Sequence, residues 1–208
     1  MEMRGIVRVR VQDHTRQETN MHRKRMTVRT CLAWATLFGA VALSPSKAMP
    51  PYEALDLSVY PSHAEPPPLS SHTVSGQPVS LAKLRGNVVL LTFWATWCAE
   101  CRPEMPLFER LHGEFARQGL TVLGLNVRED QDKIRHYAKE LRLTFPLVLD
   151  PEGEIARSYG VIGIPTTILI GRDGRTAALA VGPRDWGGAA AREVIQALLA
   201  EPARRSEQ

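Results

Sequence analysis

A run of ten uncharged residues, NVVLLTFWAT at positions 87–96, constrains the fold of this chain more than any other segment. The run is rich in β-branched and aromatic residues, which favours a β-strand. It does not alternate between polar and apolar positions, so both faces of the strand must be covered. Such a strand belongs in the interior of a sheet that has helices packed on each side.

The segments around this strand alternate as such a sheet requires. Hairpins are predicted at Gly76-Gln77 and at Arg172-Asp173-Gly174, where turn residues separate short apolar runs. Further strands are predicted over residues 120–127 and 145–150, and helices over residues 98–118, 130–143, 152–161 and 188–200. This order predicts an α/β fold with a mixed central sheet flanked by helices, an N-terminal β-hairpin and a central helix–strand insert.

The basic charge of the chain is concentrated near its N-terminus. Residues 1–48 hold nine Lys or Arg and three Asp or Glu, whereas the chain from Met49 onward holds 17 Lys or Arg and 19 Asp or Glu. The part beyond residue 48 therefore lacks the basic excess of a nucleic-acid-binding domain.

Residues 1–48 have the pattern of a secretory signal. Positive charge over His22–Arg29 precedes 13 uncharged residues, Cys31–Leu43, and Ser46-Lys47-Ala48 supplies small residues at a cleavage site. The apolar run is shorter than the roughly 20 residues that a spanning helix needs. We predict an N-terminal extension with a signal peptide, or else an uncleaved membrane anchor, and an exported mature protein.

The next segment, residues 49–68, is rich in proline. Proline-rich segments with scattered polar residues are semi-rigid spacers. We interpret residues 49–68 as a weakly structured tether and residues 69–201 as the folded domain.

Beyond the predicted leader the chain holds two cysteines, Cys98 and Cys101. Export would place them in an oxidising compartment, and the loop between them is too short to add much stability as a crosslink. At a strand-to-helix junction the first cysteine would lie at a helix N-terminus, which favours a thiolate. We therefore expect Cys98 to attack a disulfide of a partner and Cys101 to resolve the mixed disulfide.

The residues around this pair resemble a thioredoxin-like active site. The resemblance begins with Trp97-Cys98-Ala99-Glu100-Cys101 after a strand that ends Phe93-Trp94-Ala95. The run Arg102–Pro106, the extra segment between Val127 and Tyr159, and the stretch Gly160–Thr167 are similar to the TlpA/ResA branch of exported thiol–disulfide oxidoreductases. The similarity extends over residues 69–200 and implies a thioredoxin-like fold. It also implies a redox-active Cys98–Cys101 disulfide and no other cofactor.

The resemblance also implies roles for residues outside the cysteine pair. The Ile164-Pro165 bond is expected to be cis, to pack against the disulfide and to receive an extended substrate. Thr92 stands where thioredoxin has a buried Asp, and Glu104 is expected to exchange protons in its place. A solvated acid in the first helical turn is the alternative interpretation of Glu104. Trp97 either contacts substrate or shields the disulfide.

The pair between the cysteines, Ala99-Glu100, departs from the usual family pattern and is expected to tune the redox couple. A carboxylate at Glu100 would disfavour the Cys98 thiolate and make the couple more reducing. The resemblance implies reduction of protein disulfides in the bacterial periplasm as the expected activity, for instance in cytochrome c or copper-site maturation. The expected partners are protein thiol or disulfide substrates and a membrane thiol electron donor.

Three other functions remain open at this point. A metal site, such as that of a copper chaperone, is disfavoured because His112 and His136 are scattered and no third cysteine is near. A thiol peroxidase would need a threonine further ahead of a lone cysteine, whereas Thr96 precedes Cys98 by two residues. A purely structural domain with a vestigial cysteine pair is the third alternative.

Overall fold

The computed structural model of the protein describes residues 50–59 and 64–203. Eight strands lie within these residues: β1 (Ser58–Val59), β2 (Ser70–His72), β3 (Pro78–Ser80), β4 (Val88–Trp94), β5 (Leu120–Val127), β6 (Leu147–Asp150), β7 (Thr166–Ile170) and β8 (Thr176–Val181). The α-helices in the same part are α1 (Met105–Phe115), α2 (Gln131–Leu141), α3 (Glu154–Ser158) and α4 (Ala189–Ala200). Short 3₁₀ helices cover Tyr52–Leu55, Leu81–Leu84 and Ala116–Gln118.

The central sheet is mixed, as predicted. In the described residues it has six strands in the order β1-β8-β7-β4-β5-β6. Strands β4, β5 and β6 run parallel, and β7 is antiparallel to both β4 and β8. The predicted N-terminal hairpin is present as β2 and β3, which pair antiparallel, and the helix–strand insert is present as α2 and β6.

Strand β4 is the centre of this arrangement because all seven of its residues are buried. Successive side chains of a strand point to opposite faces of the sheet. Leu90 and Trp94 accordingly join a core formed with α1, α2 and α4, whereas Leu91 and Phe93 join a core formed with α3 and the hairpin. The uncharged run in the sequence therefore reflects a strand covered on both sides.

The tether predicted over residues 49–68 is wrong for residues 50–59. Tyr52 and Leu55 of a 3₁₀ helix are buried with Leu57 in the larger core, and β1 pairs with the edge strand β8. Proline-rich composition did not reveal this packing because the apolar residues are too few to form a recognisable period. The leader predicted over residues 1–48 lies outside the described residues. Among the residues that are described, no helix has the length and apolar character needed to cross a bilayer.

Replacing Leu55 by alanine should lower the free energy of unfolding by about 2–4 kcal/mol, because it removes a buried side chain and leaves a cavity. Val59→Ala, in the same segment but at an exposed position, should change it by less than about 0.5 kcal/mol. Urea unfolding of the oxidised full chain measures both. Equal, negligible effects would show that the segment is a tether after all.

Candidate functional site

The two cysteines lie in a turn just beyond the end of β4. They are joined by a disulfide with a Cα–Cα distance of 5.3 Å. Cys98 is 6% exposed and Cys101 is 1% exposed, so the first cysteine is the more accessible of the two, as the sequence predicted. An attacking cysteine that is less buried than the resolving one is the order of exposure that disulfide exchange requires.

The helix predicted to begin at Cys98 begins seven residues later, at Met105. The intervening residues form consecutive turns, in which the N–H of Arg102 donates to Cys98 O at 3.3 Å and that of Glu104 to Cys101 O at 3.1 Å. Pro103 and Pro106 have no N–H to donate, so a regular helix cannot extend back through them. Pro106 therefore lies in the first turn of α1 and does not kink it.

This difference changes the source of any stabilisation of a Cys98 thiolate. Cys98 does not lie at the first turn of α1, so the dipole of that helix acts from further away than predicted. The N–H of Cys101 instead points at Cys98 Sγ at 3.1 Å. A single backbone donor is thus the local group that favours negative charge on this sulfur.

The Ile164-Pro165 bond is cis, as predicted. The carbonyl oxygen of Ile164 lies 3.8 Å from Cys98 Sγ, which places the loop against the disulfide. Pro165 O accepts a hydrogen bond from Gly182 N. Within residues 50–59 and 64–203, the N–H of Ile164 has no hydrogen-bond partner. The backbone beside the disulfide is therefore available to an extended chain.

Glu104 is buried and not a solvated first-turn acid: it is 3% exposed. Its Oε1 accepts the N–H of Arg184 at 2.8 Å, and its Oε2 has no regular hydrogen-bond partner among the residues that the structure describes. Burial raises the pKa of Glu104 to about 7, although the Arg184 N–H and the nearby indole of Trp186 oppose the shift. The indole N–H favours the charged form without meeting the geometry of a regular hydrogen bond.

Trp186 is fully buried against Phe108, with ring centroids 5.5 Å apart. Thr92 is also buried, and its hydroxyl pairs with that of Thr167 at 3.0 Å. A hydroxyl pair in place of a carboxylate leaves the central strand without an ionisable group at this position. Within the cysteine turn, Glu104 is the acid that is buried, whereas Glu100 is exposed.

Sequence reasoning missed a second buried carboxylate, Glu129. Its oxygens accept from Thr96 N and Thr96 Oγ1 at 2.6 Å each and from Asn126 Nδ2 at 2.8 Å, and Lys133 Nζ lies 2.6 Å away. Burial raises the pKa of Glu129, but the hydrogen bonds from Lys133, Thr96 and Asn126 outweigh it and hold the pKa below its ordinary value. This carboxylate anchors Thr96, two residues before Cys98, to the end of β5.

The sequence did contain a signal for this network. Strands β4 and β5 are parallel, so their carboxyl ends meet at one edge of the sheet. Thr96 follows β4 by two residues, Glu129 follows β5 by two residues, and Lys133 is four residues after Glu129. An acid just after the end of a buried parallel strand therefore indicates a buried hydrogen-bond network, even where the surrounding loop is charged.

The side chains around the disulfide are unusually exposed for their type. Trp97 is 65% exposed and Ile162, on the loop before the cis proline, is 97% exposed. Trp97 therefore does not bury itself over the disulfide. Ala99 and Glu100 are also exposed, so the field of the Glu100 carboxylate is partly screened by water.

The histidines are not gathered at the cysteines. His136 is exposed on α2, and His112 is half-buried with its ring centroid 6.3 Å from that of Phe145. In the described part of the chain, no group of three or more His, Cys, Asp or Glu side chains is arranged to hold a metal ion.

Glu104→Gln should stabilise the oxidised protein above pH 7 and have little effect near pH 4. The pKa of Glu104 is raised to about 7 in the folded state, so the native protein binds more protons than the unfolded chain between about pH 4.5 and 7. Its stability relative to the variant falls across that window, by about 1–3 kcal/mol. Urea unfolding from pH 4 to 8 measures the difference, with Glu140→Gln on α2 as control. A difference independent of pH would contradict the raised pKa.

Glu129→Gln should destabilise the protein by about 2–4 kcal/mol at pH 7, because the amide has one oxygen and cannot accept from all four donor groups around the carboxylate. Because the pKa of Glu129 is lowered on folding, its charged form stabilises the protein at pH values above the ordinary pKa of Glu. This stabilisation is lost as the pH falls through the pKa of the folded state. The deficit of the variant should therefore shrink below about pH 4. Lys133→Met should cost less than about 1 kcal/mol, since Lys133 is half-exposed. A larger loss of stability in Lys133→Met than in Glu129→Gln would instead assign the stabilisation to the ion pair between Lys133 and Glu129.

The chain has sequence relatives with related names. The AhpC/TSA family matches residues 63–178. "Thiol-disulfide oxidoreductase ResA" of Bacillus thuringiensis subsp. konkukian (strain 97-27) is 35% identical over 102 residues, which are 49% of this chain and 59% of the relative. "Thioredoxin-like protein YneN" of Bacillus subtilis (strain 168) is 40% identical over 111 residues, 52% of this chain and 64% of the relative. Each match spans less than two thirds of the relative.

A solved structure agrees with these relatives. The thioredoxin family thiol:disulfide interchange protein of Chlorobium tepidum TLS superposes with a TM-score of 0.60 at 31% identity, covering 66% of this chain and 97% of that protein. The family match covers more than half of this chain. The structural match covers nearly all of the solved relative. This chain belongs to the AhpC/TSA family and has its thioredoxin-like fold.

Proposed function

We propose that this chain is an exported thiol–disulfide oxidoreductase that reduces disulfides of other proteins through Cys98 and Cys101. The observation that supports this best is the position of the cysteine pair. Cys98, the less buried of the two cysteines, has its sulfur 3.8 Å from the carbonyl oxygen of Ile164, in a loop with an unpaired N–H, so an extended chain can bind beside the reactive atom. The names of the relatives agree with this chemistry.

The reaction proceeds from the reduced protein in two exchanges. The Cys98 thiolate attacks one sulfur of a partner disulfide, the partner S–S bond breaks, and the departing partner thiolate takes up a proton. Cys101 then loses its proton and attacks Cys98 Sγ, which breaks the mixed disulfide and releases the second partner thiol. The partner gains two electrons and two protons, and the chain is left with the Cys98–Cys101 disulfide.

Glu104 is proposed as the group that moves the proton of Cys101. The two residues lie in the same turn, where Glu104 N donates to Cys101 O. A carboxyl whose pKa is about 7 is present in both protonation states near neutral pH. Such a group can accept a proton from the Cys101 thiol during resolution and return it to a leaving thiolate.

The Glu100 carboxylate supports the reducing direction. It is exposed near the cysteine turn and disfavours a second negative charge there, which stabilises the disulfide relative to the dithiol. The Cys101 N–H acts in the opposite sense, but it is a single donor. Ala99, an exposed residue without a polar side chain, adds no compensating group.

A reductase outside the cytoplasm needs a source of electrons. A membrane thiol donor is proposed for this role, since each turnover leaves the chain oxidised and an oxidising compartment does not regenerate dithiols. Substrate cysteines that await haem or copper fit an enzyme that must reduce disulfides where others form them. The signal sequence or anchor predicted in residues 1–48 would bring the domain to that compartment.

The reduction potential of the full chain tests the direction. Equilibration in dithiothreitol buffers, with alkylated thiols counted by mass, should give a value near or below about −230 mV, and Glu100→Gln should raise it. A value near about −120 mV would mean an oxidant. Glu140→Gln, which removes an exposed acid on α2, is the control.

Cysteine variants test the mechanism. Cys101→Ser should accumulate a mixed disulfide with a disulfide-bonded test protein, because nothing then resolves it, and Cys98→Ser should accumulate none. The wild-type chain should reduce that protein stoichiometrically. Faster oxidation by hydrogen peroxide than by the protein disulfide would instead support the peroxidase alternative.

A further inference from the structure

We infer that the groove beside the disulfide selects partner segments that carry an acidic residue and a bulky apolar residue close to their cysteine. This inference rests on the proposed function and specifies its substrate class. The groove has a volume of about 400 Å³ and is lined in part by Trp97, Arg128, Arg157, Val161, Ile162 and Ile164.

The groove is connected to the disulfide through two of its lining residues, Trp97 and Ile164. Trp97 is bonded to Cys98, and the Ile164 carbonyl oxygen lies 3.8 Å from Cys98 Sγ. A partner whose cysteine is joined to Cys98 therefore has neighbouring residues at the mouth of this groove. Its backbone can pair with the unpaired N–H of Ile164, as strands do at a free edge.

Two large apolar side chains on the groove are left in water. Ile162 is 97% exposed and Trp97 is 65% exposed, and both line the same groove with the half-buried Val161. Exposed apolar groups that adjoin one another indicate a binding surface more often than isolated ones do. A bulky apolar residue of the partner would be buried between them, at about 25 cal/mol for each Å² removed from water.

The groove carries the guanidinium groups of two arginines. Within residues 50–59 and 64–203, the guanidinium groups of Arg128 and Arg157 have no hydrogen bond or ion pair. The buried acids nearby are already occupied: Asp150 accepts the N–H groups of Ile155 and Ala156, and Glu129 is satisfied by its own network.

The Arg128 side chain is also held in place. Arg128 has a left-handed backbone with φ of 59°, and its N–H donates to Asp150 O. Its side chain lies across Gly153, where a Cβ atom would come within 2.7 Å of Nε. Glycine at this position thus permits the arginine to lie over the α3 N-terminus at the groove. A carboxylate of the partner is the group that two such guanidiniums bind best.

Three peptide disulfides test the selection. Each is a symmetric dimer of a short peptide in which Cys is followed by Leu and then by Asp, Asn or Lys. The second-order rate constant for oxidation of the reduced full chain is measured for each by alkylation and mass spectrometry. Each constant is divided by that for dithiothreitol with the same peptide, which removes differences in intrinsic reactivity. The Asp peptide should react about 10-fold faster than the Lys peptide at low salt, and within about 2-fold at 0.5 M salt.

Matched variants assign the selection to the groove. In the double variant Arg128→Gln, Arg157→Gln, the ratio of the Asp-peptide to the Lys-peptide rate constant should fall close to 1. In the double variant Arg128→Lys, Arg157→Lys, which keeps the positive charge, most of the wild-type ratio should remain. Arg117→Gln with Lys139→Gln, exposed positions outside the groove, makes the same change in net charge and should leave the ratio unchanged. An unchanged ratio in the groove variant, or a lost one in the control, would overturn the inference.

The apolar part has its own test. Replacing Leu of the Asp peptide by Gly should slow the wild-type protein several-fold, and Ile162→Ser should reduce that difference. Equal rates for all peptides with the wild-type protein would overturn the groove selection but leave the reductase function intact. No reaction with any peptide disulfide would overturn the reductase function and the selection with it.

Discussion

The complete burial of β4 is the constraint on which the rest of the structure depends. A strand with both faces covered needs a core on each side, and the alternation of Leu90 and Trp94 with Leu91 and Phe93 supplies them. The chain leaves this strand at one edge of the sheet, where the cysteine turn follows. The cysteine pair therefore follows directly from the end of a fully buried strand.

Two buried carboxyl groups flank the cysteine turn and differ in hydrogen bonding. Glu129 accepts bonds from Thr96, Asn126 and Lys133, so its charged form is stabilised and it acts as an anchor. Glu104 has one backbone donor and an oxygen without a regular partner, so burial raises its pKa to about 7. Similar burial thus produces a fixed anion in one case and a titrating group in the other.

Beside the disulfide, a backbone N–H without a hydrogen-bond partner in the described residues adjoins a groove lined by both apolar and arginine side chains. The loop before the cis proline offers the N–H of Ile164, and exposed Trp97 and Ile162 continue away from the disulfide with Arg128 and Arg157. The apolar surfaces of Trp97 and Ile162 are unfavourable to leave in water, whereas the N–H and the guanidinium groups are well hydrated and available to a partner that carries an acceptor.

Most of the fold could be predicted from the sequence because its elements have clear periods. The hairpin at Gly76, the amphipathic helix α2 and the strands on either side of it follow from local patterns. The start of α1 was misplaced because two prolines, Pro103 and Pro106, delay a helix whose residues otherwise favour it. The packing of residues 50–59 was missed because it depends on contacts between distant segments, with Tyr52 and Leu55 covering a core built elsewhere.

The sequence by itself determined the cysteine pair, the strand that carries it and the position of the cis proline, since each is encoded within a few adjacent residues. Only the tertiary structure decided that Glu104 is buried with a raised pKa, that Glu129 anchors Thr96, and that two arginines line the groove beside Ile162. Burial and hydrogen bonding between segments far apart in the chain set these properties, and no local pattern contains them.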